Sequence, residues 1–282
     1  MTVAGSHVLV TGDSRGIGLA AAQKLAATGA AIAIAARAPE AVDAAVGALP
    51  GDGHLALVLD VADEAAWPAA MERLDAWGRL SGLVTAAGVL GPIGKIGSNP
   101  PRAFADTLAV NLYGTFLALN HALPRLIEQR GSAVTLSGGG GTGPLPRFDA
   151  YAASKAAVVR LTENVAAAVD EDGVRVNCVA PGMVATRMHD ATLEAGPEVV
   201  GSAYFSRTQR ALAGGAVPPE AAAELIAFLL SDRSRGISGR LLSAEWDAWN
   251  EPGFAERIAG DATFGRLRRV DGVLVSSTES HR

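Results

Sequence analysis

The chain has 282 residues, 49% hydrophobic and 19% charged, enough for one large α/β domain or at most two modest ones. A formal net charge of −5 supplies no attraction to nucleic acid or to an anionic membrane surface. The single cysteine, Cys178, cannot close an internal disulfide. No apolar run approaches the ~20 residues of a membrane span, and no cationic stretch leads into a signal core. Together these predict a soluble cytoplasmic protein.

Short apolar runs at 7–11, 31–36, 55–59, 82–85, 133–137, 174–180 and 240–243 read as buried strands. Between them, 16–28, 39–48, 64–77, 101–129, 150–170 and 220–230 carry apolar residues at helical period. This alternation predicts a Rossmann-type α/β fold, a doubly wound seven-stranded parallel sheet in three α/β/α layers with right-handed crossovers. Residues 1–249 form that domain, and 250–282 form a C-terminal extension expected to be a solvated tail or a cap. The stretch 183–218 is too long for a plain connector and reads as a substrate lid.

After the first strand comes Thr11-Gly-Asp-Ser-Arg-Gly-Ile-Gly18, which opens the first helix. Its glycines fall at 12, 16 and 18, a spacing other than G-x-G-x-x-G. The same physics applies: glycines permit a tight turn and close approach of a pyrophosphate, and a helix N-terminus presents free N–H groups. The second strand ends Ala35-Ala36-Arg37, without the carboxylate that usually holds a ribose 2′-hydroxyl. Arg37 and Arg15 converging on one spot suit a 2′-phosphate, so NADP(H) is expected over NAD(H). Asp13 in the loop is a mild counter-signal.

Tyr151 and Lys155 lie four apart in Tyr151-Ala-Ala-Ser-Lys155, on one face of a helical run. A cation beside a phenol stabilises the phenolate and lowers its pKa, making a group that can exchange a proton with an oxygen.

With these residues in place, the chain from about residue 5 to 247 resembles the short-chain dehydrogenase/reductase family, in its single-domain branch. The family's glycine loop matches Thr11 to Gly18, its acid after the third strand matches Asp60 in Leu59-Asp60-Val61, and its N-A-G turn matches Ala86-Ala87-Gly88, with the asparagine replaced. The helix asparagine matches Asn111, the tyrosine and lysine match Tyr151 and Lys155, and the proline-glycine turn with its threonine matches Pro181-Gly182 and Thr186. The family's serine, thirteen residues before the tyrosine, falls on Gly138; Ser137 stands one place earlier, before a glycine run. Either Ser137 swings into the site through that flexible backbone, with Thr142 as the next hydroxyl, or the serine role is lost.

The resemblance implies reversible hydride transfer between a nicotinamide and a carbonyl or secondary alcohol, with no metal. Tyr151 would be the acid/base, Lys155 its partner and ribose ligand, Ser137 a donor to the substrate oxygen, and Asn111 the holder of a water reaching Lys155. Cofactor contacts would come from Gly12, Ser14, Arg15, Gly16, Ile17, Gly18, Arg37, Asp60, Val61, Ala87, Gly88, Pro181, Gly182, Val184 and Thr186. Leu90, Ile93, Leu145, Phe148 and Met188 would give a partly apolar substrate pocket. Arg147 and His189 could engage an anion or polyol, so a polar carbonyl compound, sugar- or cyclitol-like, is expected. The resemblance further implies a homo-oligomer, tetramer or dimer, paired through 101–129 and 150–170 and then through the last helix and strand. A different class of function is a sensor or scaffold that binds cofactor without turnover.

Overall fold

A computed structural model describes residues 3–12, 16–185 and 188–268. Asp13, Ser14, Arg15, Thr186, the side chain of Met188 and Arg269 lie outside the described residues. Seven strands form one parallel sheet in the order β3-β2-β1-β4-β5-β6-β7. They are β1 (His7–Thr11), β2 (Ala31–Ala36), β3 (Leu55–Val58), β4 (Leu80–Thr85), β5 (Ser132–Leu136), β6 (Arg175–Ala180) and β7 (Leu241–Ser243). Both faces of a parallel sheet are covered, so successive residues alternate between two cores rather than between core and water. On β1, Val8 and Val10 enter the core under α1 (Gly16–Ala27), α2 (Pro39–Gly47) and α9 (Pro219–Leu230). Leu9 enters the opposite core, under α3 (Trp67–Trp77), α5 (Gly114–Gln129) and α6 (Asp149–Ala168). The order in which strands are added reverses between β1 and β4, and such a switch point leaves a crevice at the carboxyl ends of the strands.

Three local features depart from the sequence pattern. The helical run expected over 101–129 is α4 (Pro101–Leu108) and α5 joined by a π-turn at Ala109–Tyr113, which holds Asn111. The lid between β6 and α9 contains α7 (Met188–Val200), broken at Gly196 (φ 77°, ψ 166°), and α8 (Ser202–Arg210). Its two ends are pinned together by a bridge between Val184 and Val217. The extension, expected as a solvated tail or a cap, is packed as far as residue 268. It forms α10 (Phe254–Ala259), buries Phe254 and Ile258 in the first core, and meets the sheet edge where Leu241 N–H donates to Gly265 O at 2.7 Å.

Candidate active site

The crevice at the switch point is built from backbone. Gly12, at φ 78°, leaves β1 with its N–H donating to Ala35 O, while Ala86 N–H donates to Thr11 O. A Cβ on Gly12 would overlap the Ala87 main chain, so only glycine lets the two turns meet here. Beside them lies a cavity of about 580 Å³ lined by Gly12, Ala35, Ala36, Arg37, Ala38, Ala41, Leu59, Asp60, Val61, Ala87, Gly88, Val89 and Val110. It brings together Gly12, Arg37, Asp60, Val61, Ala87 and Gly88, residues that the sequence places on four separate turns. Val89, expected as a wall of the substrate pocket, lines this cavity instead, while Ala38, Ala41 and Val110 were not foreseen, because small or apolar walls carry no chemical signature. Arg37 forms no ion pair among the described residues. Asp60 accepts the Ala62 N–H at 3.0 Å. Gly16, Ile17 and Gly18 form the first turn of α1 at the same end of the sheet, with Gly16 at φ 60°.

Tyr151 and Lys155 are both buried, on the face of α6 turned to β5 and the crevice. Lys155 Nζ donates to Leu136 O at 3.0 Å and lies 5.7 Å from the centroid of the Tyr151 ring. It also lies beside Gly88: a Cβ at that glycine would be 3.5 Å from Nζ and 3.4 Å from Asn111 Oδ1. The expected lowering of the tyrosine pKa by the lysine is not what this packing produces. Burial dominates, holding the Tyr151 phenol well above the ordinary range, and a charge on Tyr204 pushes it the same way. Burial acts on Lys155 in the opposite sense, bringing its ammonium down to about 8. Cys178, buried and free, is pushed up to about 11 by burial.

Asn111 has its side chain largely committed. Its Oδ1 accepts from Val89 N–H at 2.8 Å, and its Nδ2 donates to Val89 O and to Ser154 Oγ, each at 2.9 Å. Ser154 Oγ in turn donates to Tyr151 O at 2.7 Å. The carboxamide therefore clamps the loop after β4 to the helix carrying Tyr151 and Lys155. Ser154 carries no motif of its own, but its place three residues after Tyr151 puts it on the same helix side. The Asn111 main-chain carbonyl accepts from Thr115 Oγ1 at 2.8 Å.

At the exit of β5, Gly138 is the residue in contact with the Tyr151 hydroxyl; a Cβ there would overlap that oxygen and lie 3.1 Å from Cζ. Ser137 is buried, and its Oγ points at Gly141, where a Cβ would overlap it. Thr142 is exposed. Above Tyr151, an apolar cluster gathers Phe148 and Val200 with Leu90, Ile93, Leu145, Ala195, Tyr204 and Phe205. Leu90, Ile93, Leu145 and Phe148 thus meet as expected, whereas Tyr204 and Phe205 arrive from α8 and were not singled out. Arg147, at φ 74°, donates from Nη1 to Glu198 O and Val199 O at the end of α7, so its guanidinium braces the lid. His189 is held below its ordinary range by burial, opposed by a hydrogen bond to the Val184 main chain. Pro181 and Gly182 turn the chain out of β6, with Gly182 at φ 80°. Among the described residues, no group of three or more His, Cys, Asp or Glu could hold a metal ion, and no helix is long and apolar enough to cross a membrane.

Fold and crevice define a Rossmann-type protein whose site lies at the sheet's switch point, under a helical lid. The family model described as enoyl-(acyl carrier protein) reductase matches residues 12–245. Meso-2,3-butanediol dehydrogenase of Serratia marcescens is 33% identical over 235 residues, covering 82% of this chain and 90% of the relative. The inactive 2-(S)-hydroxypropyl-CoM dehydrogenase 2 of Xanthobacter autotrophicus is 37% identical over 191 residues, covering 66% and 81%. The crystal structure of an NAD+-bound xylitol dehydrogenase superposes with a TM-score of 0.78 at 28% identity, covering 86% of this chain and 98% of that one. The chain belongs to the short-chain dehydrogenase/reductase family of oxidoreductases.

Proposed function

We propose that this protein is an NADP(H)-dependent oxidoreductase that interconverts a ketone and a secondary alcohol. The observation that carries the reading is the buried Tyr151–Lys155 pair beside the backbone contact of Gly12 with Ala87. That contact brings two backbone turns together beside the start of α1, where free N–H groups suit a pyrophosphate. The bound nicotinamide supplies or accepts the hydride. This chain manages the proton. Burial keeps Tyr151 protonated through the neutral range, the form that donates to a carbonyl oxygen during reduction. The Lys155 ammonium then stabilises the phenolate left behind, and the same pair works in reverse on an alcohol. Asn111 and Ser154 hold α6 in position for this, and Lys155 also serves the ribose hydroxyls. Pro181, Gly182 and Val184 would frame the carboxamide, with Thr186 assigned there by the family resemblance alone.

NADP(H) preference is supported by Arg37 at the cavity rim and by the absence of a carboxylate at the end of β2. Replacing Arg37 by Ala should raise KM for NADPH by about tenfold to a hundredfold, the loss of a charge-assisted hydrogen bond, with little effect on NADH. Equal kcat/KM for NADH and NADPH in the unmodified protein would refute the preference.

The substrate side is apolar, and the guanidinium of Arg147, which suggested an anion or polyol, is engaged by the lid. A compact hydrocarbon-like ketone fits these walls better than a sugar. Pairing of two copies through α4 and α6 is supported by a shallow apolar depression lined by Leu108, Leu112, Tyr113, Phe116 and Leu161.

One observation favours a second reading, a cofactor-binding protein with little turnover: Gly138 brings no hydroxyl to Tyr151. NADPH oxidation across a panel of ketones separates the two. Tight NADPH binding with no oxidation of any ketone supports the sensor or scaffold.

A further inference from the structure

A carbonyl oxygen that takes a proton from Tyr151 has a second lone pair, and negative charge builds on it as hydride arrives. In an apolar pocket that charge needs a second donor, since an unpaired polar atom there is costly. Neither residue at the β5 exit supplies one, because Gly138 has no side chain and Ser137 Oγ is turned to Gly141. The cluster over Tyr151 contains one other hydroxyl, that of Tyr204. Its ring is held against Phe148, with centroids 4.8 Å apart and planes tilted by 51°. Its main-chain carbonyl accepts from Thr208 Oγ1 at 3.0 Å, fixing that turn of α8. Its phenol is half-buried and has no hydrogen-bond partner among the described residues. A half-exposed hydroxyl with no protein partner can exchange water for a ligand oxygen that enters beside it. Phe148, against which Tyr204 packs, caps α6 three residues before Tyr151, so both phenols border the same apolar cluster.

We infer that Tyr204 is a second substrate-binding phenol, donating to the same substrate oxygen as Tyr151 in place of the hydroxyl missing at position 138. The inference rests on the ketone–alcohol reading above. It also assigns the segment between β6 and α9 a chemical part, since α8 carries the second donor. The substrate it selects is a compact ketone with one oxygen at the reacting carbon and hydrocarbon around it, since the remaining walls are Leu90, Ile93, Leu145, Phe148, Val200 and Phe205.

The test compares the unmodified protein with Tyr204→Phe and Tyr151→Phe, following NADPH oxidation with cyclohexanone, 4-methylcyclohexanone and 2-heptanone as probes. Tyr204→Phe keeps the ring contact with Phe148 and removes only the hydroxyl. Its kcat should fall by about 10²-fold, the usual cost of one donor to a developing oxyanion, while NADPH affinity by fluorescence titration and the thermal midpoint stay unchanged. An unchanged kcat in Tyr204→Phe, with or without a rise in KM, overturns the inference while Tyr151→Phe remains inactive and upholds the wider reading. No turnover by the unmodified protein on any probe counts against both.

Discussion

Gly138 and the hydroxyl of Tyr151 are in direct contact, with no space between them for a side chain. Substituting Gly138 by Ala would therefore push the end of the phenol aside, because the new Cβ would otherwise lie on the hydroxyl and 3.1 Å from Cζ. The atom that must move is the far end of a side chain, so the fold should be unaffected. Activity should not be. A displacement of about 1 Å at a reacting group can cost on the order of 10²-fold in rate, and a kcat reduced by that order with an unaltered thermal midpoint is the expected result. Full activity in Gly138→Ala would mean that the phenol reacts from a different position.

Asn111 joins two segments that the sheet alone leaves independent, the loop at Val89 and the helix of Tyr151. Asn111→Ala removes three hydrogen bonds and strands the Val89 N–H and C=O in a partly buried place. A loss of roughly 3 kcal/mol is expected from net hydrogen-bond values and the desolvation of unpaired groups. Ser154→Ala removes a single donor–acceptor link and should cost about 1 kcal/mol. Urea unfolding of both variants checks the order. An Asn111→Ala protein as stable as its parent would mean that the clamp is not structural.

Much of this arrangement was legible in the chain, and the reasons differ by part. The strands were readable because a sheet buried on both faces demands uninterrupted runs such as Val8-Leu9-Val10 and Ile32-Ala33-Ile34. The glycine loop and the Tyr151–Lys155 spacing were readable because turn geometry and helix period are local. The π-turn at Asn111 was hidden, since one residue inserted into a helix shifts the apolar period too little to stand out. Tyr204 was hidden for another reason: its contact with Phe148 joins residues more than fifty positions apart, and nothing in α8 itself points to the start of α6. Arg147 misled because a guanidinium next to Phe148 looks available until the Glu198 and Val199 carbonyls are seen to occupy it. The direction of the Tyr151 shift depends on how completely the lid excludes water, which no spacing of residues reveals.

The buried ammonium of Lys155 makes stability depend on pH in a defined sense. In the unfolded chain the lysine keeps its proton up to its ordinary 10.5, whereas in the folded protein it releases it at about 8. Between these values the unfolded state binds more protons, so stability rises with pH across that window. The burial penalty is fully present below pH 8 and gone above 10.5. Relative to Lys155→Met, the unmodified protein should gain on the order of 3 kcal/mol over this range, at about 1.4 kcal/mol per unit. Tyr151 and Cys178, both raised, act in the opposite direction at high pH; Tyr151 is common to both proteins, whereas Cys178 interacts with the Lys155 charge, so the slope between pH 8 and 9.0, the ordinary thiol value, isolates the lysine. Denaturant unfolding at a series of pH values gives the curve, and a flat difference would show that Lys155 does not lose its proton early.

Arg240 ties the C-terminal extension to the sheet. Its side chain is buried, and the guanidinium donates to Phe264 O at 2.7 Å, Ile258 O at 3.2 Å and Asp261 O at 2.5 Å, with Nε left unpartnered. The next residue, Leu241, donates its N–H to Gly265 O, so the chain covers the edge of β7 that an open parallel sheet would otherwise expose. Farther along, Leu267 N–H donates to Glu163 Oε1 while Arg160 donates to Leu267 O, locking the same segment to α6. Arg240→Met should cost about 3 kcal/mol or more, the value of one to two hydrogen bonds from a charged donor, because three carbonyls lose their donor together. Ending the chain at Trp249 goes further. It removes Phe254 and Ile258 from the core and leaves the Leu241 N–H open at a bare strand edge, so the shortened protein should unfold more readily and associate into larger species on light scattering. If it kept the size and thermal midpoint of the full chain, the extension would be an appendage and Arg240 would have a different purpose.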